Sequence, residues 1–278
     1  MEVETMNIGN VIMTKRKELG LTQQVLADKL HVSFQAVSKW ENGTSYPEID
    51  LLPAIAGILQ TSSDTLLGYE YKTHGYYDER YKKEEFFWGL QPNETCFEIM
   101  KMKPPIKSLK VLDIGCGEGK DAVFFARNGY QVTAFDLSKD GIKKGKRLAE
   151  QCGVYVDFFQ ADLNDYRLVD KYDIIFSSGV FDYMKPDLRI DITEHLKEHT
   201  NDDGLNAIKV FVEKPFIEVD DKKKKAYRYS WKSGELFTYY YDWEISTMKE
   251  VIYDCNSGGV PHKHCIDIMI ANKYKKEY

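Results

Sequence analysis

The 278-residue sequence has no long apolar run, little proline and no closely spaced cysteine pair. Each absence removes a class of protein. No stretch approaches the roughly 18 consecutive apolar residues that cross a bilayer, so no membrane span is expected. The opening residues, MEVETMNIGN, are acidic and carry no apolar signal core, which points to a cytoplasmic location. The five cysteines, Cys96, Cys116, Cys152, Cys255 and Cys265, are scattered, odd in number and never spaced Cys-x-x-Cys. That pattern argues against a disulfide framework and predicts no metal or redox site, only free buried thiols. Internal repeats are absent, and the lysine run at 222–225 reads as a solvated loop. The net charge of −6 offers no overall attraction for nucleic acid. Between residues 8 and 44, however, Lys15, Arg16, Lys17, Lys29 and Lys39 outnumber Glu18, Asp28 and Glu41, which leaves room for a small basic face.

Two kinds of periodicity divide what is present. Residues 7–70 read as short helices. Ile8, Val11, Ile12, Arg16 and Leu19 fall at helical spacing, Gly20 ends that run, and Thr22, Ser33 and Asp50 are candidate N-caps for the helices that follow. Val25, Leu30, Val37 and Trp40 are the expected core beneath them. Residues 71–105 are rich in tyrosine and charge and read as a linker with a lid helix. From residue 109, strands expected at 109–114, 130–135, 154–159, 172–177 and 206–212 alternate with helices at 119–128, 138–151 and 187–199. Alternation predicts a parallel, doubly wound α/β sheet, and the apolar stretches 242–253 and 264–271 suit an antiparallel pair that ends it. The predicted domains are 1–70, 71–105 and 106–278.

The stretch VLDIGCGEGKDA, residues 111–122, is a strand that runs into a glycine turn before a helix. Bare backbone at such a turn admits a nucleotide-type ligand. Its spacing is G-x-G-x-G, not the G-x-G-x-x-G of a dinucleotide site, and Asp113 precedes it. A carboxylate there repels pyrophosphate and suits the ammonium of an amino acid, as in S-adenosylmethionine (SAM). Asp136 ends the next strand, where a carboxylate takes ribose hydroxyls. Asp162 follows the third, where the adenine amine lies.

The stretches VLDIGCGEGKDAVFFARNGYQVTAFDLS, YDIIFSSGVFDYMKPD, KEHTNDDG and SWKSGELFTYYYDWEI resemble class I SAM-dependent methyltransferases, within them the tellurite-resistance methyltransferase group. The resemblance implies a Rossmann-like fold: a seven-stranded, mostly parallel sheet with an antiparallel last strand. It places Asp113, Gly115, Cys116 and Gly117 at the methionine end of the cofactor, Asp136 and Leu137 at the ribose, and Asp162 and Leu163 at the adenine. It sets Ser177 and Ser178 near the methyl group, and has Trp88, with Tyr76 and Tyr77, folding back as a lid. S-adenosylhomocysteine would be the product and a small nucleophile the methyl acceptor. Methyl transfer needs in-line alignment and exclusion of water, and a base only for protic acceptors. Candidates for the acceptor side are His262 and His264, which alternation puts on one face of the last strand, and Asp182 and Tyr183 after the fourth. The group's His-Arg pair before the last strand is replaced by Tyr253-Asp254, which leaves the substrate open.

Residues 7–69, with LTQQVLADKLHVSFQAVSKWENG at their centre, resemble the lambda-repressor/Cro-like (Xre) helix-turn-helix family. The first residues of a recognition helix face the major groove. Gln23, Ser33, Gln35, Ser38 and Lys39 are therefore the expected contacts to double-stranded DNA, and such heads work as homodimers on palindromes. The leading expectation is a small-molecule methyltransferase with a DNA-binding head that regulates transcription. The alternative is a transcription regulator whose methyltransferase fold only senses SAM. Base methylation is disfavoured, because the loop after the fourth strand, SSGVFDYM, lacks the Pro-Pro-aromatic signature of enzymes that methylate flipped bases.

Overall fold

The computed structural model describes residues 8–61, 63–67, 77–217, 229–255 and 261–274. These form two compact units: described residues up to 67 with 159–169, and residues 77–158 with 170–274. The lysine run 222–225 and Tyr76 lie outside the described residues. Among the described residues, no helix is long and apolar enough to cross a membrane.

The first unit holds α1 (Ile8–Glu18), α2 (Gln23–Leu30), α3 (Phe34–Glu41), α4 (Leu52–Ile58) and α5 (Ser63–Leu66). Thr22 Oγ1 accepts the Val25 amide and Ser33 Oγ accepts the Ala36 amide, so both expected caps are in place. His31 turns the chain between α2 and α3 in the left-handed region, with φ of 54°. Ile12, Leu26, Val37, Trp40, Ile55 and Leu59 form the core. A buried ion pair joins α1 to α3: Arg16 Nε and Nη2 donate to the two Glu41 oxygens at 2.6 and 2.8 Å. Burial works to raise the Glu41 carboxyl, but its bonds from Arg16 and Gln23 hold it below the usual range.

Two expectations fail here. Val25 is 40% exposed, not core, because Leu26 and Ala27 already fill the inward face of α2. Asp50 sits inside a 3-10 turn, Ile49–Leu51, and α4 starts only at Leu52, with Pro53 in its first turn. Residues 159–169 pack within this same unit. The Ser63 amide donates to Asp165 Oδ2 at 2.8 Å, and Arg167 O lies 2.6 Å from where a Cβ on Gly57 would stand.

The second unit holds α6 (Asp78–Tyr81), α7 (Glu94–Met102), β1 (Lys110–Ile114), α8 (Lys120–Arg127), β2 (Gln131–Asp136), α9 (Lys139–Gln151), β4 (Tyr172–Ser178), α10 (Arg189–Glu198), β5 (Thr200–Val212), α11 (Glu235–Thr238), β6 (Glu244–Cys255) and β7 (His262–Asn272). With β3 (Asp157–Gln160), the strands form one seven-stranded sheet in the order β3-β2-β1-β4-β5-β7-β6. β1 pairs parallel with β2 and β4, and β4 with β5, while β7 runs antiparallel to β5 and β6. Val111, Phe125, Phe176, Ala207 and Ile270 lie in the main core. β5 begins at Thr200, not near 206: Thr200 pairs with Tyr172, and a register shift follows before Leu205 pairs with Ile174, with Asp203 at positive φ.

This topology fixes where chemistry can occur. β1, β2, β4 and β5 all end at the carboxyl edge. β7 runs the other way, and Val212 pairs with Cys265, so the first residues of β7 reach that same edge.

Candidate functional site

At the β1–β2 end of the edge, the glycine turn is fixed by its own backbone. The Gly115 and Cys116 amides donate to Phe135 O at 2.8 and 3.0 Å. Gly115 has φ of 69°, and a Cβ there would stand 2.2 Å from Val180 Cγ2. Gly117, with φ of 55°, donates its amide to Asp136 Oδ2 at 2.8 Å, and Asp136 Oδ1 accepts the Ser138 amide at 2.8 Å. Asp136 thus shapes the turn it was expected only to adjoin. Asp113 is buried, and its Oδ2 has no hydrogen-bond partner. Burial pushes this carboxyl well above the usual carboxylate range, Asp121 adds to the effect, and Lys120 opposes it.

A cover stands over the turn. The Phe87 and Trp88 amides donate to the Glu118 carboxylate, each at 3.1 Å. Glu118 in turn takes Lys144 Nζ at 2.6 Å in a buried pair. Trp88 Nε1 donates to Tyr81 Oη at 2.8 Å, and that hydroxyl would lie 3.0 Å from a Cβ on Gly117. Tyr77 packs against Trp88 with ring centroids 5.6 Å apart. Glu118 and Tyr81 were missed by sequence reasoning. The signal for Glu118 was its position inside the turn, between Gly117 and Gly119.

The remaining cofactor-side candidates fall as follows. Leu137 is exposed and Cys116 half-buried. Burial, then Asp113 and Asp136, push the Cys116 thiol up, so it is no ready nucleophile. Cys152 and Cys255 are also half-buried, so the expectation that all five thiols are buried holds only for Cys96 and Cys265. Ser177 is buried and donates to Ile114 O at 3.2 Å, while Ser178 Oγ accepts Asn93 Nδ2 at 2.9 Å. Asp162 Oδ1 accepts the Asn164 amide at 2.8 Å and Asn164 Nδ2 at 3.0 Å, beside the buried Leu163. Asp162 and Leu163 belong to the first compact unit.

At the β5–β7 end, Phe211 links the acceptor-side candidates. Its amide donates to both oxygens of the buried Asp182, at 3.2 and 3.4 Å, and its ring lies 4.8 Å from that of His264. Tyr183 is half-buried in the 3-10 turn Phe181–Tyr183. His262 Nε2 and His264 Nε2 face each other at 2.9 Å. Lys209, also missed, pairs in register with Ser178. Burial, then Lys120, pushes its amine below the usual lysine range. Its signal was a lone cation inside the apolar run AIKVFV.

In the head, Ser33, Gln35 and Lys39 are exposed on and beside α3, and Ser38 is half-buried. Two expected contacts already have work to do: Ser33 caps α3, and Gln23 Nε2 donates to Glu41 Oε2 at 2.8 Å.

Two family models match separate stretches of the chain. The family model described as tellurite resistance protein TehB matches residues 72–260. A helix-turn-helix model matches residues 12–66. The probable S-adenosyl-L-methionine-dependent methyltransferase TehB of Haemophilus influenzae is 28% identical over 173 residues, covering 61% of this chain and 59% of that protein. The release factor glutamine methyltransferase of Bacillus subtilis is 31% identical over 179 residues, covering 54% of this chain and 62% of that protein. The chain thus spans about three fifths of these relatives' lengths. Among solved structures, TehB from Haemophilus influenzae superposes with a TM-score of 0.58 at 24% identity, over 71% of this chain and 66% of that one. Magnesium protoporphyrin IX methyltransferase from Synechocystis, solved with bound S-adenosylhomocysteine, gives 0.52 at 17% identity, over 71% of this chain and 96% of that one. These likenesses show the Rossmann-like methyltransferase fold. The family match over residues 72–260, more than half of the chain, makes this protein a member of the TehB tellurite-resistance family, with a helix-turn-helix segment preceding the matched domain.

Proposed function

We propose that this protein transfers the methyl group of S-adenosylmethionine to a small-molecule nucleophile, and that its head binds double-stranded DNA to regulate transcription. The observation that carries the first half is the unpaired, buried Asp113 Oδ2 beside a glycine turn whose amide is tied to Asp136. A buried carboxyl in that state fits a cationic partner. Asp113 faces the ammonium, and Gly115, Cys116 and Gly117 present bare backbone to the methionine end. Asp136 and Leu137 serve the ribose, and Ser177 and Ser178 the region of the methyl group. When bound, SAM supplies an electrophilic methyl on a sulfonium, which leaves as the neutral thioether of S-adenosylhomocysteine.

The chain's own residues then align the acceptor and exclude water. Trp88, anchored through Glu118 and Tyr81, closes the cofactor side. For a protic acceptor, the His262–His264 pair receives the proton as the new bond to carbon forms; a soft anion needs no base. Asp182 acts as a positioning residue by holding the Phe211 amide, and Tyr183 borders the acceptor. The test is a nucleophile screen that reads S-adenosylhomocysteine release. Turnover on a small thiol, selenide or oxyanion supports the reading. SAM binding without turnover across the panel supports the SAM-sensing regulator instead.

For the head, the supporting observation is the exposure of Ser33, Gln35 and Lys39 at one short helix. Binding to the DNA upstream of the protein's own coding sequence should weaken steeply with salt. Gln35→Ala should lower the preference for that site, whereas Lys39→Ala should weaken all sequences alike.

A further inference from the structure

We propose that Cys255, His262 and His264 form a binding site for a borderline divalent metal ion of the zinc type. The donors come from the two strands at the far side of the sheet. Cys255 pairs across the ladder with His262, and Tyr253 with His264. Alternate residues of a strand share a face, so the thiol and both imidazoles project to the same side. Asp254 and Lys263 project to the other and pair with each other at 2.7 Å. One ligand atom from each of Cys255, His262 and His264 lies within 4.8 Å of the others, and the two imidazole Nε2 atoms stand 2.9 Å apart. Zinc bonds of about 2.0–2.1 Å to nitrogen and about 2.3 Å to sulfur need tetrahedral donors roughly 3.3–3.6 Å apart. Binding the ion opens the histidine pair by a few tenths of an ångström and draws the Cys255 thiol in from within 4.8 Å.

The donor set selects the ion. One thiolate and two imidazoles, with no carboxylate among the three, suit zinc, cobalt or copper and not magnesium or calcium. Three protein ligands leave a fourth position open, as in catalytic zinc sites. The Phe211 ring, 4.8 Å from the His264 ring, forms an apolar wall on one side. Phe211 also meets the loop after β4: a Cβ on Gly179 would stand 3.0 Å from Phe211 Cε2. The site therefore borders the acceptor end of the edge. An occupied site makes His262 and His264 ligands in place of bases, and its fourth position can take a thiol-type acceptor. Metal binding itself does not depend on the methyl-transfer reading.

The full-length chain, stripped with chelator and loaded with cobalt(II), provides the test. We expect one ion per chain and a thiolate-to-cobalt charge-transfer band. Cys255→Ser should abolish the band, and His262→Ala or His264→Ala should each weaken zinc binding roughly 100-fold or more. Far-UV circular dichroism checks the fold of each variant. In the unsubstituted protein, zinc should slow alkylation of Cys255 and leave that of Cys152 unchanged, as read by peptide mass. A wild-type cobalt spectrum without the band, a band that survives Cys255→Ser, or Cys255 alkylation indifferent to zinc would overturn the proposal. None of these readouts involves SAM, so they separate failure of the metal site from failure of methyl transfer.

Discussion

At the β1–β2 end of the sheet edge, backbone amides do the holding. Gly115 and Cys116 bond to Phe135, Gly117 bonds to Asp136, and the cover is anchored at Glu118, all but the cover within some 25 residues of sequence. At the β5–β7 end one amide, that of Phe211, bonds to Asp182, and side-chain rings do the rest. Asp182 reaches Phe211, Phe211 meets His264, and His264 faces His262, with their elements drawn from three separate parts of the chain. The first construction is local and tolerates little change in its glycines and acids. The second is assembled by the tertiary fold and can change its side chains while the sheet persists. A fixed donor end beside a variable acceptor end is how one fold serves many substrates.

The largest expected effect lies at the fixed end. Asp136→Ala removes the acceptor of both the Gly117 and Ser138 amides, and SAM affinity should fall roughly 100-fold or more by calorimetry. Gly115→Ala should follow closely, because its Cβ would overlap Val180 and its φ is left-handed. Trimming Val180 to Gly in the same chain should restore part of the binding, since it relieves the overlap and not the dihedral. At the variable end, His264→Gln should lower kcat on a protic acceptor roughly 10²–10⁴-fold with SAM affinity unchanged. Equal losses of kcat and SAM affinity there would break the comparison. The smallest effect should come from Trp88, which is 42% exposed; Trp88→Ala should weaken SAM only several-fold.

Asp113 adds a dependence on pH. Burial raises its carboxyl in the folded chain, so the protonated form is favoured there and its contribution to stability is lost as pH rises above the ordinary carboxylate range. Asp113→Asn should therefore flatten that loss, read as Tm against pH, while abolishing SAM binding. The head carries the opposite sign. Glu41 is held low, so its contribution is lost as pH falls. Glu41→Ala leaves Arg16 buried without its partner and should cost on the order of 3 kcal/mol of head stability.

The same contrast explains what could be read from the sequence. Strand, glycine turn and helix announce themselves through short-range periodicity, and Asp113, Gly115 and Asp136 came with them. Thr22 and Ser33 were legible as caps because capping is a three-residue interaction. Asp50 was not, because the chain enters α4 through the 3-10 turn Ile49–Leu51, with Pro53 in the first turn of the helix. The start of β5 was hidden by the polar TNDDG segment, which still pairs with β4 through a register shift. The setting of Lys209 beside Ser178 depends on the pairing of β5 with β4, while Tyr81 with Trp88 and Cys255 with His262 meet across short stretches of sequence that carry no helix or strand periodicity.

The proposed SAM site centres on Asp113 and Asp136. Calorimetric titration of the full chain with SAM, in buffers of different ionisation enthalpy, tests it most directly. One SAM per chain is expected, with binding that tightens as pH rises and net proton release as Asp113 ionises against the bound cation. No binding of SAM or S-adenosylhomocysteine by the folded protein with both acids intact would contradict it.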